Sequence, residues 1–150
     1  MVSSGHAASG RLGYLLKHAQ YRMAELNEKA LTPFGVDGRE LGVLLVIAGH
    51  EPQSQQQVAQ RLGVDRTTMV ALLDTLERKG LVARRPHPED RRRNVVELTG
   101  AGTETLERAT EASDRAEREF LAPLGERGAR QLRDALRAVV LPEGQSSIGR

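Results

Sequence analysis

Cysteine is absent from the 150 residues. That removes disulfides, thiolate zinc sites, cysteine nucleophiles and thiol redox sensing together. Tryptophan is absent too, and aromatic residues make up only 3% of the chain. The core must therefore be built from Leu, Val and Ala, which suits packed helices. No apolar run approaches the ~18 residues that a membrane span needs. Met1 to Gly10 lacks the charged-then-apolar order of a secretory leader, so cytoplasmic residence is the expectation. Catalytic signatures are missing as well. His6, His18, His50 and His87 are scattered, with no HExxH, Gly-rich phosphate loop or Ser/His/Asp arrangement, so no enzyme, metal or cofactor is expected.

What is present is charge in one place. Seven basic residues (Arg78, Lys79, Arg84, Arg85, Arg91, Arg92, Arg93) stand against Glu89 and Asp90 between positions 78 and 93. That local excess of five positive charges sits on a chain whose formal net charge is +2, so the remainder is weakly acidic. A concentrated basic patch of this kind is the electrostatic footprint of a nucleic-acid binder.

The length fits one ordinary domain with a real core. Leu12, Leu15, Leu16, Ala19, Met23, Leu26 and Ala30 recur with the spacing of a long amphipathic helix, ended by Pro33 and Gly35. Asp37 to Glu40 has the spacing of a capping box that opens a second helix, with Leu41, Leu44, Leu45 and Ala48 as its buried stripe and Gly49 and Pro52 as its close. Ser54 to Gln57 is another such box, opening a short helix that buries Val58, Ala59 and Leu62. Gly63 turns the chain, and Asp65 caps a further helix with Met69, Val70, Leu73 and Leu76 inward. Short helix, glycine turn and second helix make a helix-turn-helix.

After Gly80 the period changes. Leu81 to Arg85 and the alternating Val96 to Thr99 predict a two-stranded hairpin, or wing, around the charged loop His87 to Arg93. Thr99 caps a helix through Leu106, Ala109, Ala112, Ala116 and Phe120. A last helix over 126–140 places Leu132, Leu136 and Val139 on one side. Gly125 stands where a capping Ser or Asp would be expected.

In the helix after Asp65, the inward stripe leaves Thr67, Ala71, Asp74 and Arg78 pointing away. An α-helix fits the B-DNA major groove, where Arg can bond guanine twice and Thr can touch a thymine methyl. Arg66, Thr67, Thr68, Ala71 and Thr75 are the candidates for base recognition. Asp74 is repulsive to phosphate and is expected to orient an arginine instead. The wing offers Asp90, Arg91, Arg92 and Arg93. Three guanidiniums at a hairpin tip can enter a narrow minor groove, with Asp90 anchoring one of them. Ser54, Gln55 and Arg84 are candidate contacts to the phosphate backbone. Tyr14, His18, Tyr21 and Arg22 on the first helix are the candidates for holding a small aromatic ligand.

The segments Gln57–Val70 and Leu76–Val82 resemble the helix-turn-helix of the MarR family. His87–Arg93, followed by Val96-Glu97-Leu98-Thr99 and Gly102, resembles that family's wing and its entry into the next helix. The resemblance covers about residues 11–140, and its wing is the most specific part. It implies a mainly α fold with a small β-hairpin wing: a winged helix-turn-helix in an intertwined helical homodimer. Residues 11–36 and 100–140 would form the dimerisation region and 37–99 the DNA-binding region, between a flexible N-terminus at 1–10 and a flexible tail at 141–150. It further implies that Arg92, two places after the wing aspartate, enters the minor groove. Many members are repressors released by aromatic or phenolic compounds. The implied partners are double-stranded DNA, a second copy of the chain and a small aromatic ligand. Two readings of other kinds remain beside it: a winged-helix module that binds protein, and a non-specific architectural DNA-binding protein.

Overall fold

The structure is a computed structural model that describes residues 8–49 and 53–141. The expected flexible residues 1–7 and 142–150, and the expected helix stop at Pro52, lie outside the described residues. Helix α1 runs Leu12–Leu31 and ends in a 3-10 turn, Thr32–Phe34. It is followed by α2 (Gly38–Ala48), strand β1 (Gln53–Ser54), α3 (Gln55–Leu62) and α4 (Arg66–Arg78). Strands β2 (Val82–Pro86) and β3 (Asn94–Leu98) come next. Helix α5 (Gly100–Leu121), a second 3-10 turn and α6 (Gly125–Val140) complete the chain. Among the described residues no helix is long and apolar enough to cross a membrane.

The helix starts follow their caps. Asp37 Oδ1 accepts the Glu40 N–H at 2.8 Å while Glu40 Oε1 accepts the Asp37 N–H at 3.1 Å. Ser54 and Gln57 close the same reciprocal pair at the head of α3. Each box satisfies amide donors that the first helical turn leaves without partners. Gly63 (φ 65°) ends α3 in the left-handed region, where a side chain would be strained, and so makes the tight turn into α4. Leu124 precedes α6 without any side-chain cap.

The core gathers Leu31, Val36, Leu41, Val43, Leu44, Ile47, Val58, Met69, Leu73, Leu76 and Val96 beneath α2, α3, α4 and the strands. The second stripe differs from the expected one. Val43 and Ile47 are buried while Leu45 and Ala48 are exposed. The run Leu41–Ala48 contains no polar residue, so nothing in it marks which edge of α2 faces solvent. Similarly Val70 is exposed on α4 and Leu72 is half-buried against the core.

The hairpin pairs Val82 with Leu98 and Pro86 with Asn94. A third strand, not expected from the sequence, joins it: Gln53 pairs with Val96 and Ser54 with Val95, giving the order β1-β3-β2. Two polar residues carry no readable period, and Ser54 signalled its helix cap instead. Helix α5 is seated on the turn before the wing. Thr99 Oγ1 donates to the Gly80 carbonyl at 2.6 Å and accepts the Gly102 N–H at 3.0 Å. Gly102 is buried there, and a Cβ on it would collide with the Leu81 carbonyl.

The two ends of the chain are different. Leu12 is 71% exposed, Leu15 and Leu16 about half, and Val139 81%. The apolar stripes expected on α1 and α6 are therefore largely open to solvent in the single chain; Leu31, Met23 and Leu26 at the far end of α1 are covered at least in part. Helix α1 packs along α5, where Ser113 Oγ donates to Asn27 Oδ1 at 2.8 Å.

Candidate nucleic-acid interface

The face α4 offers to solvent is decided by the face it buries. Met69, Leu73 and Leu76 are enclosed in the core, which leaves Thr67, Ala71 and Asp74 exposed along the opposite side and Arg66 exposed at the N-terminal edge of the buried face. The helix begins at Asp65, whose Oδ1 accepts the Thr68 N–H at 2.7 Å. That backbone hydrogen bond is the main cause holding the Asp65 carboxyl below the usual aspartate range. Thr68 Oγ1 also donates to Asp65 Oδ2 at 3.0 Å. Thr75 Oγ1 donates to the Ala71 carbonyl at 3.0 Å and accepts from Arg78 Nη2 at 3.3 Å. Of the residues expected to read bases, Thr68 and Thr75 are thus engaged within their own helix, and Arg66, Thr67 and Ala71 are open.

The wing loop is built on Asp90. Its Oδ1 accepts the Arg92 N–H at 3.1 Å, its carbonyl accepts the Arg93 N–H at 3.0 Å, and Oδ2 lies 3.7 Å from Arg93 Nε. His87 closes the loop base, donating its N–H to the Arg93 carbonyl at 2.8 Å, while its Nδ1 accepts the Glu89 N–H at 3.0 Å. Asp90 therefore shapes the tip through the backbone of Arg92 and the side chain of Arg93. Among the described residues no carboxylate pairs with Arg91 or Arg92, and both are exposed.

Helix and wing meet in one groove. A concavity of about 600 Å³ is lined by Arg66 from α4, Arg92 and Arg93 from the wing, and Ser54 and Gln55 from the head of α3. Three arginines from two elements converge on it, against no acidic lining residue. Gln56, Gln57, Gln60, His87 and Asn94 also line it and were not among the residues expected to contact DNA. Of the glutamine run 55–57, Gln55 was expected at the phosphate backbone and Gln57 only as part of the helix cap. The Ser54 hydroxyl is held by the cap, since it accepts the Gln57 N–H at 3.2 Å.

Arg84, expected at a phosphate, lies on β2 with its side chain 20% exposed. Its Nη2 pairs with Asp74 Oδ1, its Nε with Glu77 Oε2 at 2.9 Å, and its Nη1 donates to Gln55 Oε1 at 3.4 Å. Asp74 first and Glu77 second push its guanidinium pKa further up. Asp74 thus orients an arginine, as its poor fit to phosphate suggested. Glu77 was missed, because nothing in a helical period pairs it with a residue on a following strand.

Tyr14, His18, Tyr21 and Arg22 share the exposed flank of α1. The Tyr14 and His18 rings are 4.1 Å apart, and Tyr21 meets His18 edge-on at 5.8 Å. None of the four lines the groove above or the two cavities beside α3 and α4.

The same architecture recurs in known proteins. A profile described as the MarR family matches residues 34–93. A putative transcriptional regulatory protein for the hcr operon of Thauera aromatica is 35% identical over 119 residues, which is 79% of this chain and 72% of that protein. The transcriptional repressor CouR bound to a 23-mer DNA duplex is 35% identical with a TM-score of 0.80, over 93% of this chain and 96% of that one. CouR from Rhodococcus jostii RHA1 bound to p-coumaroyl-CoA is 30% identical with a TM-score of 0.77, over 90% and 95% of the two chains. The overall path agrees with these solved relatives, and the chain belongs to the MarR family of transcriptional regulators.

Proposed function

We propose that this regulator binds a palindromic operator as a homodimer, represses from it, and lets go when a small aromatic compound binds. The observation that carries the reading is the groove in which Arg66 of the recognition helix and Arg92 and Arg93 of the wing converge. Arg66, Thr67 and Ala71 enter the major groove, where side chains distinguish all four base pairs. Arg92, with Arg91 and Arg93 beside it, enters the flanking minor groove, whose negative potential deepens as it narrows. Ser54 and Gln55 at the head of α3 meet the phosphate backbone, where amides at a helix start attract anions. The DNA-binding region is 37–99.

Support for two copies comes from the open apolar residues Leu12, Leu15, Leu16, Leu136 and Val139. Residues 11–36 and 100–140 cover these on a second chain. Exposed apolar stripes of this kind mark an interaction site. Release by a ligand is supported by CouR, which has been solved with DNA and with p-coumaroyl-CoA, and by the ring ladder Tyr14, His18 and Tyr21 with Arg22 beside it. An arginine and a histidine there hold a carboxylate or thioester oxygen while the tyrosines stack on the ring. The protein acts in the cytoplasm and without catalysis; the relatives above are regulators too.

Selection from a random duplex pool at physiological salt, with no ligand added, tests the reading. An enriched inverted repeat with half-sites about one helical turn (~34 Å) apart is expected. Retention without enrichment would replace it with an architectural DNA-binding protein, and no retention with a protein-binding module. Titrating p-coumaroyl-CoA and simple aromatic acids into the complex tests release. Unchanged isotherms across that panel would remove the ligand from the account.

A further inference from the structure

Arg84 is the one arginine of the basic segment 78–93 whose guanidinium is shared between two carboxylates and an amide. Its neighbour Arg85 makes only a longer contact, 3.5 Å, to Glu97. Three of the five N–H donors of Arg84 are used, and in three directions. Asp74 and Glu77 come from the recognition helix, Gln55 from the first residue of α3, and Arg84 itself from the middle of the strand that leads into the wing loop. One side chain therefore ties together the three elements that form the groove.

We propose that Arg84 is a positioning residue for DNA recognition rather than a phosphate ligand: held by Asp74 and Glu77, it locks the wing to the recognition helix and orients the amide of Gln55. This rests on the DNA reading above. The lock sets the separation between Arg66, which lies on the helix, and Arg92, which lies on the wing. It thereby sets which major-groove and minor-groove positions are read together. Because Gln55 Oε1 accepts from Arg84, the NH2 of that amide is the end left to donate to an anion in the groove. Asp74 and Glu77, each about half exposed, would repel phosphate if unpaired, and Arg84 offsets them.

The two roles predict opposite signs for one substitution. If Arg84 gripped phosphate, Asp74→Asn would free the guanidinium and remove a negative charge, so every duplex would bind more tightly. If Arg84 positions the wing, Asp74→Asn loosens the lock and specific binding suffers. Arg84→Lys separates them again. A lysine serves a phosphate as a point charge but cannot reproduce the planar fork between Asp74, Glu77 and Gln55.

The experiment measures affinity of the full chain for its selected duplex and for a scrambled duplex of equal length, across a salt series. Thermal melting accompanies each variant. Asp74→Asn and Arg84→Lys are each expected to lower the selected-to-scrambled affinity ratio about tenfold, the scale of one mismatched base pair. The scrambled duplex should bind as well as before, and the slope of log K against log salt should stay as in the unaltered chain. Asp74→Glu, which keeps a carboxylate, should restore the ratio. Tighter binding of both duplexes by Asp74→Asn, or an unchanged ratio with Arg84→Lys, would overturn the proposal. So would a salt slope smaller by about 0.9 in Arg84→Gln, the mark of one lost phosphate contact. If Arg84→Lys melts early, the surface pair Asp74→Asn and Asp74→Glu decides alone. Failure of the DNA reading itself would appear without any variant, as equal binding of both duplexes by the unaltered chain.

Discussion

The winged unit and the outer helices α1 and α6 carry apolar residues at the same helical spacing, yet the first encloses them and the others leave most of theirs open. Met69, Leu73 and Leu76 of α4 are covered by α2, α3 and the strands of their own chain. Leu12, Leu15 and Leu16 of α1, and Val139 and Val140 of α6, stand open. Capping follows nearly the same line: α2, α3 and α4 begin on side-chain caps, as does α5 where it leaves the wing, whereas α1 and α6 have none. An apolar stripe states that a face needs cover; it does not state which chain supplies the cover. The winged unit is finished locally, and the ends present the faces that the proposed second copy would cover.

The largest effect should come from breaking the enclosed side. Leu73→Ala leaves a cavity in a wholly buried site and should cost about 2–5 kcal/mol of stability, read by chemical denaturation. On the open side, Leu16→Glu should leave the far-ultraviolet spectrum of the winged unit intact but block the pairing of two copies. Operator affinity should then fall about a hundredfold, as two linked half-sites become two separate ones. A binding curve unchanged by Leu16→Glu would show that the exposed stripe covers nothing the function needs.

Arg92→Ala sharpens the contrast from within the winged unit, because the side chain is exposed in the groove proposed to hold DNA and is not part of the core. Binding to the selected duplex should weaken by about 1–3 kcal/mol, with the melting temperature unmoved. The smallest effect is the cap at Asp65. Its carboxyl is held below the usual range in the fold, so it contributes stability above the ordinary aspartate pKa that is lost as pH falls through the depressed folded value. Asp65→Asn keeps an oxygen for the Thr68 N–H but cannot titrate. Melting curves of the two proteins should therefore converge toward low pH. Parallel curves would remove Asp65 as a source of the pH dependence.

Much of this was legible from residues alone, and the reasons differ by element. The four caps at Asp37, Ser54, Asp65 and Thr99 were readable because a cap is a local pattern satisfied within four residues. The hairpin was readable because Val96 to Thr99 alternates. The phase of α2 was not, since Leu41–Ala48 offers no polar edge, and strand β1 was too short to carry a period. In the groove, Asp90 was placed correctly as the organiser of the tip, although it acts on the backbone of Arg92 more than on a guanidinium. The partners of Arg84 were not legible. Glu77 and Asp74 lie 7 and 10 residues away from it across a helix end and a strand, a distance that no helical or strand period spans.

The most direct test of the account is the mass of the complex on its selected duplex, measured by sedimentation of the full chain at physiological salt. Two protomers per duplex are expected at every chain concentration that gives binding, with no stable species of one protomer. A saturated complex holding a single protomer would contradict the central claim that the open faces of α1 and α6 are closed by a second copy and that the two recognition helices read DNA together.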